Sequence, residues 1–587
     1  MEQKKAQQKF DYELLGRVIR LARPYRSLFA GAAFLSVSLA LLSVLRPKLV
    51  QVMVDDYIFK YDVGGMTKTA LIFVGVLVLE SVFRYSFIYS TSVLGQSVIK
   101  DLRIRVFKHI SNLRLKYFDT TPIGTSTTRT INDIETINTV FSQGAITIVA
   151  DMLTVIVVLI VMFMTSVKLT LICLTTMPFL MLASYIFKEK VKASYQIVRT
   201  QISKMNAFLQ ERISGMRVIQ IFNAEAQEDK KFKTINREYT QANLNSILYY
   251  AVFFPVVEII SAASLGLMVW WGARGVIGDS VTLGALVAFP IYLDMLFRPI
   301  RMLADRFNTL QMGLIAAERV FKVIDRTDII ENKGTFAPDR AEGKIDFERV
   351  WFAYNEKEWI LRDLSFSVQP GETLAIVGST GSGKTTIINL LSRFYEIQKG
   401  AIKIDDTPIQ EFTLESLRAR IAVVLQDVFL FSGTVLENIT LRNPDITRDQ
   451  VIAAAQLIGA HDFIQRLPGD YDYQVMERGA TLSMGQRQLI SFVRALVYNP
   501  DILILDEATS SVDPETEAVI QYAIEKLIDK RTSFIIAHRL STIRHATNIM
   551  VLHKGEVQEF GPHEELLQIE GGHYRNLYEM QFVTEKI

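Results

Sequence analysis

The stretch Gly378-Ser379-Thr380-Gly381-Ser382-Gly383-Lys384-Thr385-Thr386, here called the phosphate loop, decides the fold of the second half of the chain. The apolar run before it is typical of a buried strand, and the run after it is typical of a helix. Glycines there let backbone N–H groups turn towards phosphate, and the helix N-terminus favours anions. Lys384 is placed to reach the β- and γ-phosphates and Thr385 to bind Mg²⁺. A functionless glycine-rich turn, the alternative, does not explain the complete motif in this context.

A second candidate element lies downstream, where the buried-strand pattern Ile502-Leu503-Ile504-Leu505 ends in Asp506 and Glu507. Paired acids at the end of such a strand, in a chain with a phosphate loop, indicate a nucleotide hydrolase. Asp506 would act on Mg²⁺, directly or through water, and Glu507 would polarise the attacking water as a general base.

Two weaker signals accompany these motifs. Ser483, Gly485 and Gln486 stand where a helical stretch opens, and small residues at a helix start favour a second phosphate group. Tyr354 ends an alternating, strand-like run before the phosphate loop, where an aromatic ring could stack on adenine. A strand aromatic is more often part of a core or an interface.

Length and composition set the frame for these motifs. A chain of 587 residues is too long for one core, so at least two domains are expected. Hydrophobic residues make up 49% and charged residues 21%, with the long uncharged stretches in the first half. The net charge of +2 gives no electrostatic footprint for nucleic acid, so none is expected as a partner. The single cysteine, Cys173, excludes an intrachain disulfide.

Six apolar stretches in the first half are long enough to cross a bilayer. The alternative for any single stretch is a buried helix of a soluble core, which six such stretches together make hard to sustain. Pro178, Pro255 and Pro290 are expected to kink their helices. The predicted spans are residues 27–45, 69–92, 145–165, 169–187, 247–271 and 281–296.

Basic residues before the first span and after the second place both segments, and both termini, in the cytoplasm. Two polar excursions, 95–144 and 188–246, have helical spacing and are expected to extend into the cytoplasm. The first is interrupted at 119–124 and the second near Ser214-Gly215. Helices that leave the membrane, turn and return would offer docking points for the cytoplasmic domain that binds ATP.

Five ionisable residues lie inside predicted spans: Glu80, Arg84, Asp151, Glu258 and Asp294. Such groups are costly in hydrocarbon and face partners or a wet cavity. Glu80 and Arg84 are four residues apart, so they can pair on one helix face. Structural pairing and lining of a substrate path both remain open for the set.

The second half resembles the nucleotide-binding domain of ATP-binding cassette (ABC) transporters, and nearly the whole chain resembles a half-transporter of the ABC exporter family, with the motifs in the family's order. The resemblance implies that Tyr354 stacks on adenine, that Gln426 touches Mg²⁺ and the coupling elements, and that His538 contacts the γ-phosphate. It also places coupling helices at 119–124 and near 222–225. The fold class expected is therefore a six-span α-helical membrane domain (1–325), a linker (326–344) and an α/β P-loop ATPase domain of the ABC type (345–587).

One departure concerns Met484, which stands at the first glycine of the family's usual Leu-Ser-Gly-Gly-Gln signature. Ser483 and Gly485 are intact. A tolerated variant and a weakened signature, as in exporters built from two different half-transporters, both remain open. A second copy of this chain is slightly favoured as partner, because every hydrolytic element is present in this one sequence.

The resemblance implies ATP-driven export, with ATP and Mg²⁺ bound between two chains and a hydrophobic or amphiphilic substrate such as a lipid or a drug. We expect a multi-pass protein of the plasma membrane, most simply of a bacterial inner membrane. Its membrane partners are lipids. The alternative is a membrane-anchored ATPase that gates or senses without pumping. An importer fits less well, because importers of this class usually carry the two parts on separate chains.

Overall fold

The computed structural model describes residues 11–355, 358–506, 514–536 and 543–585. Contacts divide the chain into two units. The first comprises Met1–Ser111 and Thr121–Thr327, and the second comprises Asn112–Thr120 and Asp328–Ile587. The short segment Asn112–Thr120 therefore belongs by its contacts to the unit that holds the phosphate loop, although the chain on both sides of it belongs to the other unit.

The first unit contains six helical stretches that are long and apolar enough to cross a membrane, which confirms the predicted number. They are 36 to 53 residues long, so each exceeds the ~20 residues that a bilayer requires. Twelve helices precede the first strand in the described residues: α1 (Tyr12–Arg20), α2 (Arg26–Val52), α3 (Val63–Ser111), α4 (Leu115–Thr120), α5 (Ile123–Thr128), α6 (Ile134–Thr139), α7 (Ala145–Thr165), α8 (Val167–Leu174), α9 (Met177–Ser214), α10 (Met216–Ile221), α11 (Glu225–Ile277) and α12 (Leu283–Ile324).

The fourth predicted span differs from the structure. Residues 169–187 are not one helix, because the chain turns at Thr175 and Thr176 between α8 and α9. Pro178 lies in the first turn of α9, two residues after this interruption, so the break in the span accompanies the proline. Proline lacks an N–H, and the first turn of a helix is where that N–H has no intrahelical acceptor. Pro255 and Pro290 do lie inside helices.

The expected interruptions of the two long polar excursions are present. Thr121 and Pro122 separate α4 from α5, and Pro122 precedes the first residue of α5. Gly215 separates α9 from α10, and residues 222–224 separate α10 from α11. Proline and glycine act here as they commonly do at helix ends.

Three of the four intramembrane acids have arginine partners. The Glu80 carboxylate accepts a hydrogen bond from Arg84, at 2.7 Å, and lies 2.9 Å from Arg46 Nε. Asp151 and Asp294 pair with Arg306 and Arg301. Arg46, Arg301 and Arg306 were not predicted as partners. Arg46 and Arg306 lie on other helices than their acids, and Arg301 lies two turns from Asp294 along α12.

We predict that Glu80→Gln destabilises the protein by roughly 1–3 kcal/mol, because it leaves two guanidinium groups beside a nearly buried position without an anion. The Glu80 side chain is only 6% exposed, whereas Asp294 is 63% exposed. Asp294→Asn is therefore the matched control, with an expected loss below ~1 kcal/mol. The measurement is the thermal unfolding midpoint of detergent-purified protein, and equal midpoints for wild type and Glu80→Gln would contradict the assignment.

The second unit is built on a six-stranded sheet in the order β12-β11-β3-β10-β9-β6, beside a four-stranded sheet in the order β2-β1-β4-β5 and the short pair β7-β8. Its strands are β1 (Ile345–Phe352), β2 (Leu361–Val368), β3 (Thr373–Val377), β4 (Lys399–Ile404), β5 (Thr407–Pro408), β6 (Ile421–Val424), β7 (Gly433–Thr434), β8 (Gln474–Val475), β9 (Ile502–Asp506), β10 (Thr532–Ile536), β11 (Asn548–His553) and β12 (Glu556–Gly561). The helices after β3 are α13 (Lys384–Leu391), α14 (Leu414–Arg420), α15 (Val435–Thr440), α16 (Arg448–Leu457), α17 (His461–Gln465), α18 (Met484–Val497), α19 (Pro514–Ile528), α20 (His563–Gln568) and α21 (His573–Glu585).

The central strands β3, β10 and β9 of the six-stranded sheet are buried on both faces, which explains their uninterrupted apolar sequences. In β3 every residue is buried: Leu374 and Ile376 belong to one hydrophobic cluster, and Ala375 and Val377 belong to another. Side chains alternate between faces along a strand, so a strand covered on both sides reads as continuous apolar sequence. The helical membrane part and the α/β part together confirm the predicted fold class.

Candidate functional site

The phosphate loop, Asp506 and Gln426 lie at one edge of the sheet because of strand order and register. Strands β11, β3, β10, β9 and β6 are all parallel, so their carboxyl ends meet at one edge of the sheet. Ile536 of β10 pairs with Ile376 on one side and with Asp506 on the other, and Val424 pairs with Leu505. The phosphate loop follows β3, Asp506 ends β9, and Gln426 follows β6 by two residues.

The phosphate loop has the backbone geometry that its glycines predict. Gly381 and Gly383 have φ values of +82° and +109°, in the region that side-chain-bearing residues rarely adopt. A Cβ atom on Gly383 would lie 2.8 Å from a methyl of Leu361. The chain then enters α13 at Lys384, so the loop leads directly into a helix N-terminus, the end of a helix that favours anions.

The polar atoms of the loop fit a phosphate. Lys384 is 7% exposed, and its Nζ donates to the carbonyl oxygens of Gly378 and Ser379 at 2.8 and 3.2 Å. The ammonium group therefore lies inside the loop. Ser382 Oγ is buried and, among the described residues, has no hydrogen-bond partner. Ser379, Thr380 and Thr385 are exposed. A buried cation, an unused hydroxyl and a helix N-terminus are what an anionic phosphate chain requires.

Tyr354 lies beside the phosphate loop and contacts α13. Its hydroxyl is 3.2 Å from Thr386 Oγ1 and accepts a hydrogen bond from Asn389 Nδ2 at 3.3 Å. Its ring packs edge-on against Phe352 and Tyr395, with centroids 4.9 and 5.0 Å apart. The ring is thus both half-buried and fixed next to the phosphate loop.

The acidic end of β9 is described only in part. Asp506 is half-buried at the carboxyl edge of the sheet, and Gln426 is exposed at the same edge. Glu507 and His538 lie outside the described residues, as do residues 510–513, which the resemblance assigns to a loop across a dimer. Asp506, the residue before Glu507, pairs with Ile536, the residue before Ala537, so β9 and β10 end side by side.

The signature residues form the start of α18. Ser483 caps the helix: its Oγ accepts from the Gln486 N–H at 3.2 Å, and Gln486 Oε1 accepts from the Ser483 N–H at 3.0 Å. This capping box leaves Ser483 exposed, whereas Met484 is half-buried and Gly485 is buried. The methionine at the variant position therefore does not disturb the capping geometry.

The structure adds Tyr395, which sequence reasoning missed. Its hydroxyl donates a hydrogen bond to Asp119, in the segment 112–120. Burial first, and then this hydrogen bond, raise the pKa of the Tyr395 hydroxyl above its ordinary value, so it remains a donor at neutral pH. No periodicity or motif in the sequence pairs residues 276 positions apart.

The segment 112–120 is bound to the second unit at further points. Arg114 donates from its backbone N–H to the Asp328 carbonyl at 2.9 Å and from Nε to the Ile329 carbonyl at 3.2 Å. Leu113 forms an isolated β-bridge with Ile329, and Tyr117 is 1% exposed. A continuous path of contacts therefore runs from Asp119 through Tyr395 and Tyr354 to Thr386, at the phosphate loop.

We predict that Tyr395→Phe weakens communication along this path, because it removes the hydroxyl that Asp119 accepts and keeps the ring. Substrate-stimulated ATPase should fall several-fold while basal ATPase stays near wild type, measured on protein reconstituted in lipid. Tyr498→Phe is the matched control, since it removes a tyrosine hydroxyl bonded to the Thr440 carbonyl of the same unit. Unchanged stimulation in Tyr395→Phe, or equal losses in both variants, would refute the role.

Comparison with known proteins identifies the family. Residues 29–300 match the model of the ABC transporter transmembrane region, and residues 361–510 match the ABC transporter ATPase model. The uncharacterized ABC transporter ATP-binding protein YknV of Bacillus subtilis is 39% identical over 98% of this chain and 96% of its own. The probable multidrug resistance ABC transporter ATP-binding/permease protein YheH of the same organism is 38% identical over 89% and 78%. The ATP-dependent lipid A-core flippase of Syntrophus aciditrophicus is 34% identical over 98% and 96%.

The fused membrane and ATPase regions, and the site at the edge of the sheet, define an ATPase coupled to transport. The chain belongs to the ABC transporter family and is a half-transporter of its exporter type. It binds ATP, it is a multi-pass membrane protein, and its half-transporter architecture implies that two such chains associate.

Proposed function

We propose that two copies of this chain form an exporter that moves a hydrophobic or amphiphilic substrate, such as a lipid or a drug, across the plasma membrane. Residues 1–325 form the membrane domain, 326–344 the linker and 345–587 the ATPase domain. The observation that carries the proposal is the path from Asp119 through Tyr395 to the phosphate loop. This path connects the segment 112–120, which lies in the chain between parts of the membrane domain, to the nucleotide site. A pump requires such a connection.

In this proposal each ATP lies between the phosphate loop of one chain and the signature of the other. Tyr354 stacks on the adenine, residues 378–386 hold the phosphates, and Ser483, Gly485 and Gln486 of the second chain contact the γ-phosphate from the opposite side. The exposed Ser483 and the N-terminus of α18, which lies at this position, support this role.

The hydrolytic step is assigned to the residues that the family resemblance implies. Thr385, Asp506 and Gln426 are oxygen-bearing side chains suited to Mg²⁺. When bound, Mg²⁺ would neutralise charge on the phosphates. Glu507 accepts a proton from the attacking water, Lys384 stabilises the phosphate charge, and His538 donates to the γ-phosphate as the products, ADP and phosphate, form.

ATP binding at two such interfaces would draw the ATPase domains together, and hydrolysis would release them. The segment 112–120 would carry that motion to α3 and α5, which flank it in the chain. The membrane cavity would then alternate its opening between the two sides.

The membrane orientation rests on charge. Arg17, Arg20, Arg23 and Arg26 precede the first span, and basic residues again follow the second, so both ends of this helix pair are assigned to the cytoplasm. With six spans the ATPase domain is then cytoplasmic as well. The substrate class is inferred from relatives described as a multidrug resistance transporter and a lipid A-core flippase.

The competing function is an ATPase that gates or senses without pumping. The test is ATP-dependent accumulation of a fluorescent amphiphile inside inverted vesicles that hold the purified protein. A pump accumulates the amphiphile against its gradient and a gate only equilibrates it, so equilibration alone would refute the proposed function.

We predict that this chain, purified without any other polypeptide, hydrolyses ATP and transports. Glu507→Gln should reduce hydrolysis by at least ~10²-fold because the general base is lost, while ATP binding persists because the shape is kept. The measurements are phosphate release and binding of a fluorescent ATP analogue. A chain that is inert until a second, different polypeptide is added would exclude the homodimer.

Met484→Gly tests whether the methionine in the signature is a tolerated variant. If two copies pair, both ATP sites contain Met484, so the substitution acts on every turnover and should leave hydrolysis similar or raise it modestly. The expected stability cost of glycine in the first helical turn is below ~1 kcal/mol. A several-fold loss of phosphate release would show that the methionine is required at the site.

A further inference from the structure

Glu258 differs from the other acids of the membrane spans. Glu80, Asp151 and Asp294 each lie within 3.0 Å of an arginine nitrogen. In the parts of the chain that the structure describes, no basic side chain lies within 4.0 Å of the Glu258 carboxylate, and no hydrogen bond is made to it. An ionisable group in a membrane span that has no structural partner points to a functional role.

Glu258 also has the most apolar position of the four. It is the only charged residue between Glu238 and Arg274, eleven residues after Ile247 and thirteen before Trp271. At 1.5 Å per residue, the carboxylate is ~16–20 Å from either end of that apolar stretch of α11. Its side chain is exposed, whereas Phe253, Val257 and Ser264 pack into the unit on another face of the helix.

The helix around Glu258 offers further hydrogen-bond acceptors. Pro255 lies inside α11 and has no N–H to donate to the Ala251 carbonyl four residues earlier. Ala251 and Glu258 are seven residues apart and therefore share a face. Ser261, one turn after Glu258, has a buried hydroxyl oxygen with no hydrogen-bond partner among the described residues. Both oxygens lie within about two helical turns of the carboxylate and add partial negative charge to this part of α11, which favours a cation over an anion.

Aromatic rings lie one to two turns away. Phe254 precedes Glu258 by one helical turn and is 58% exposed. It continues a ring cluster in which its centroid is 5.8 Å from that of Phe253 and 6.3 Å from that of Tyr250. Phe187 of α9 stacks on Phe253 at 3.9 Å. Ring faces attract organic cations, most strongly where water is excluded.

We propose that Glu258 and Phe254 form the charge-selective part of the substrate site and recognise the cationic group of an amphiphile, such as a lipophilic ammonium or phosphonium ion. This inference rests on the proposed export function and specifies the charge of its substrate. The carboxylate supplies the counter-charge in mid-membrane, and the exposed ring of Phe254 contacts the alkyl or aryl groups around the cation.

The experiment compares tetraphenylphosphonium with tetraphenylborate, which carry the same four phenyl groups and opposite charges. The readout is the concentration of each ion that half-maximally stimulates the ATPase of the full-length protein in lipid. Wild type should respond to the cation at lower concentration. Glu258→Gln should raise that concentration for the cation by ~10-fold or more and leave the anion unchanged or improved. Phe254→Leu should raise it for the cation by ~2–5-fold.

Phe179→Leu is the matched control, because Phe179 is 65% exposed on a different apolar helix and should not affect either ion. An equal shift for both ions in Glu258→Gln would overturn the proposal, as would a wild type that does not distinguish them. Loss of basal ATPase together with dimer assembly in Glu258→Gln would also overturn it and would assign Glu258 to an ion pair between chains.

Different measurements test the export function and the charge selectivity of Glu258. Accumulation of a neutral amphiphile tests only the proposed export function, and it should persist in Glu258→Gln. If wild type accumulates the neutral amphiphile but Glu258→Gln leaves the cation response intact, the charge assignment alone is wrong. If wild type accumulates nothing, the export function itself is wrong.

Discussion

Hydrocarbon offers no hydrogen-bond partner to a backbone N–H or C=O group, and this constraint determines the first half of the chain. Every membrane-crossing segment must therefore be a helix that satisfies its own backbone. A bilayer needs only ~20 residues for that purpose, whereas the stretches here have 36 to 53. The additional turns continue the same hydrogen-bonded helices into water. There, water can hydrogen-bond their polar side chains and the backbone groups left unpaired at the interruptions near Pro122 and Gly215. A stiff rod that begins in lipid and ends in water is suited to transmit displacement between the two environments.

Periodicity was sufficient to predict what depends on local sequence. The six apolar stretches, the buried strand before the phosphate loop and the strand that ends at Asp506 were all recognisable, because each is a continuous run with one burial requirement. The turn at Thr175-Thr176 was not, because both of its sides are equally apolar and nothing in hydropathy distinguishes a bend in lipid from a straight helix. The positions of Lys384 and Thr385 in their loop follow from a compact motif, whereas the contact between Asp119 and Tyr395 depends on folding that joins distant parts of the chain.

The intramembrane acids also show the difference between features that local sequence predicts and features that only the fold determines. In sequence Glu80, Asp151, Glu258 and Asp294 are equivalent, since each is a single carboxylate in an apolar run. The structure separates them, because Arg46 and Arg306 reach Glu80 and Asp151 from other helices, and Arg301 reaches Asp294 from two turns further along α12. Only the Glu80–Arg84 spacing was readable in advance, as both residues share one helix face four positions apart. Pairing across helices has no sequence spacing to reveal it.

The single cysteine has a practical consequence. Cys173 is fully buried in α8, packed among apolar side chains. A thiol in that position is shielded from water-soluble maleimides and methanethiosulfonates, so the natural chain already behaves as a background without reactive thiols. One cysteine introduced at an exposed position, for example in place of Thr127 or Thr481, would carry a spin label or a fluorophore selectively. In a dimer of identical chains each such label occurs twice, and the separation of the pair would report the opening and closing of the assembly directly during turnover.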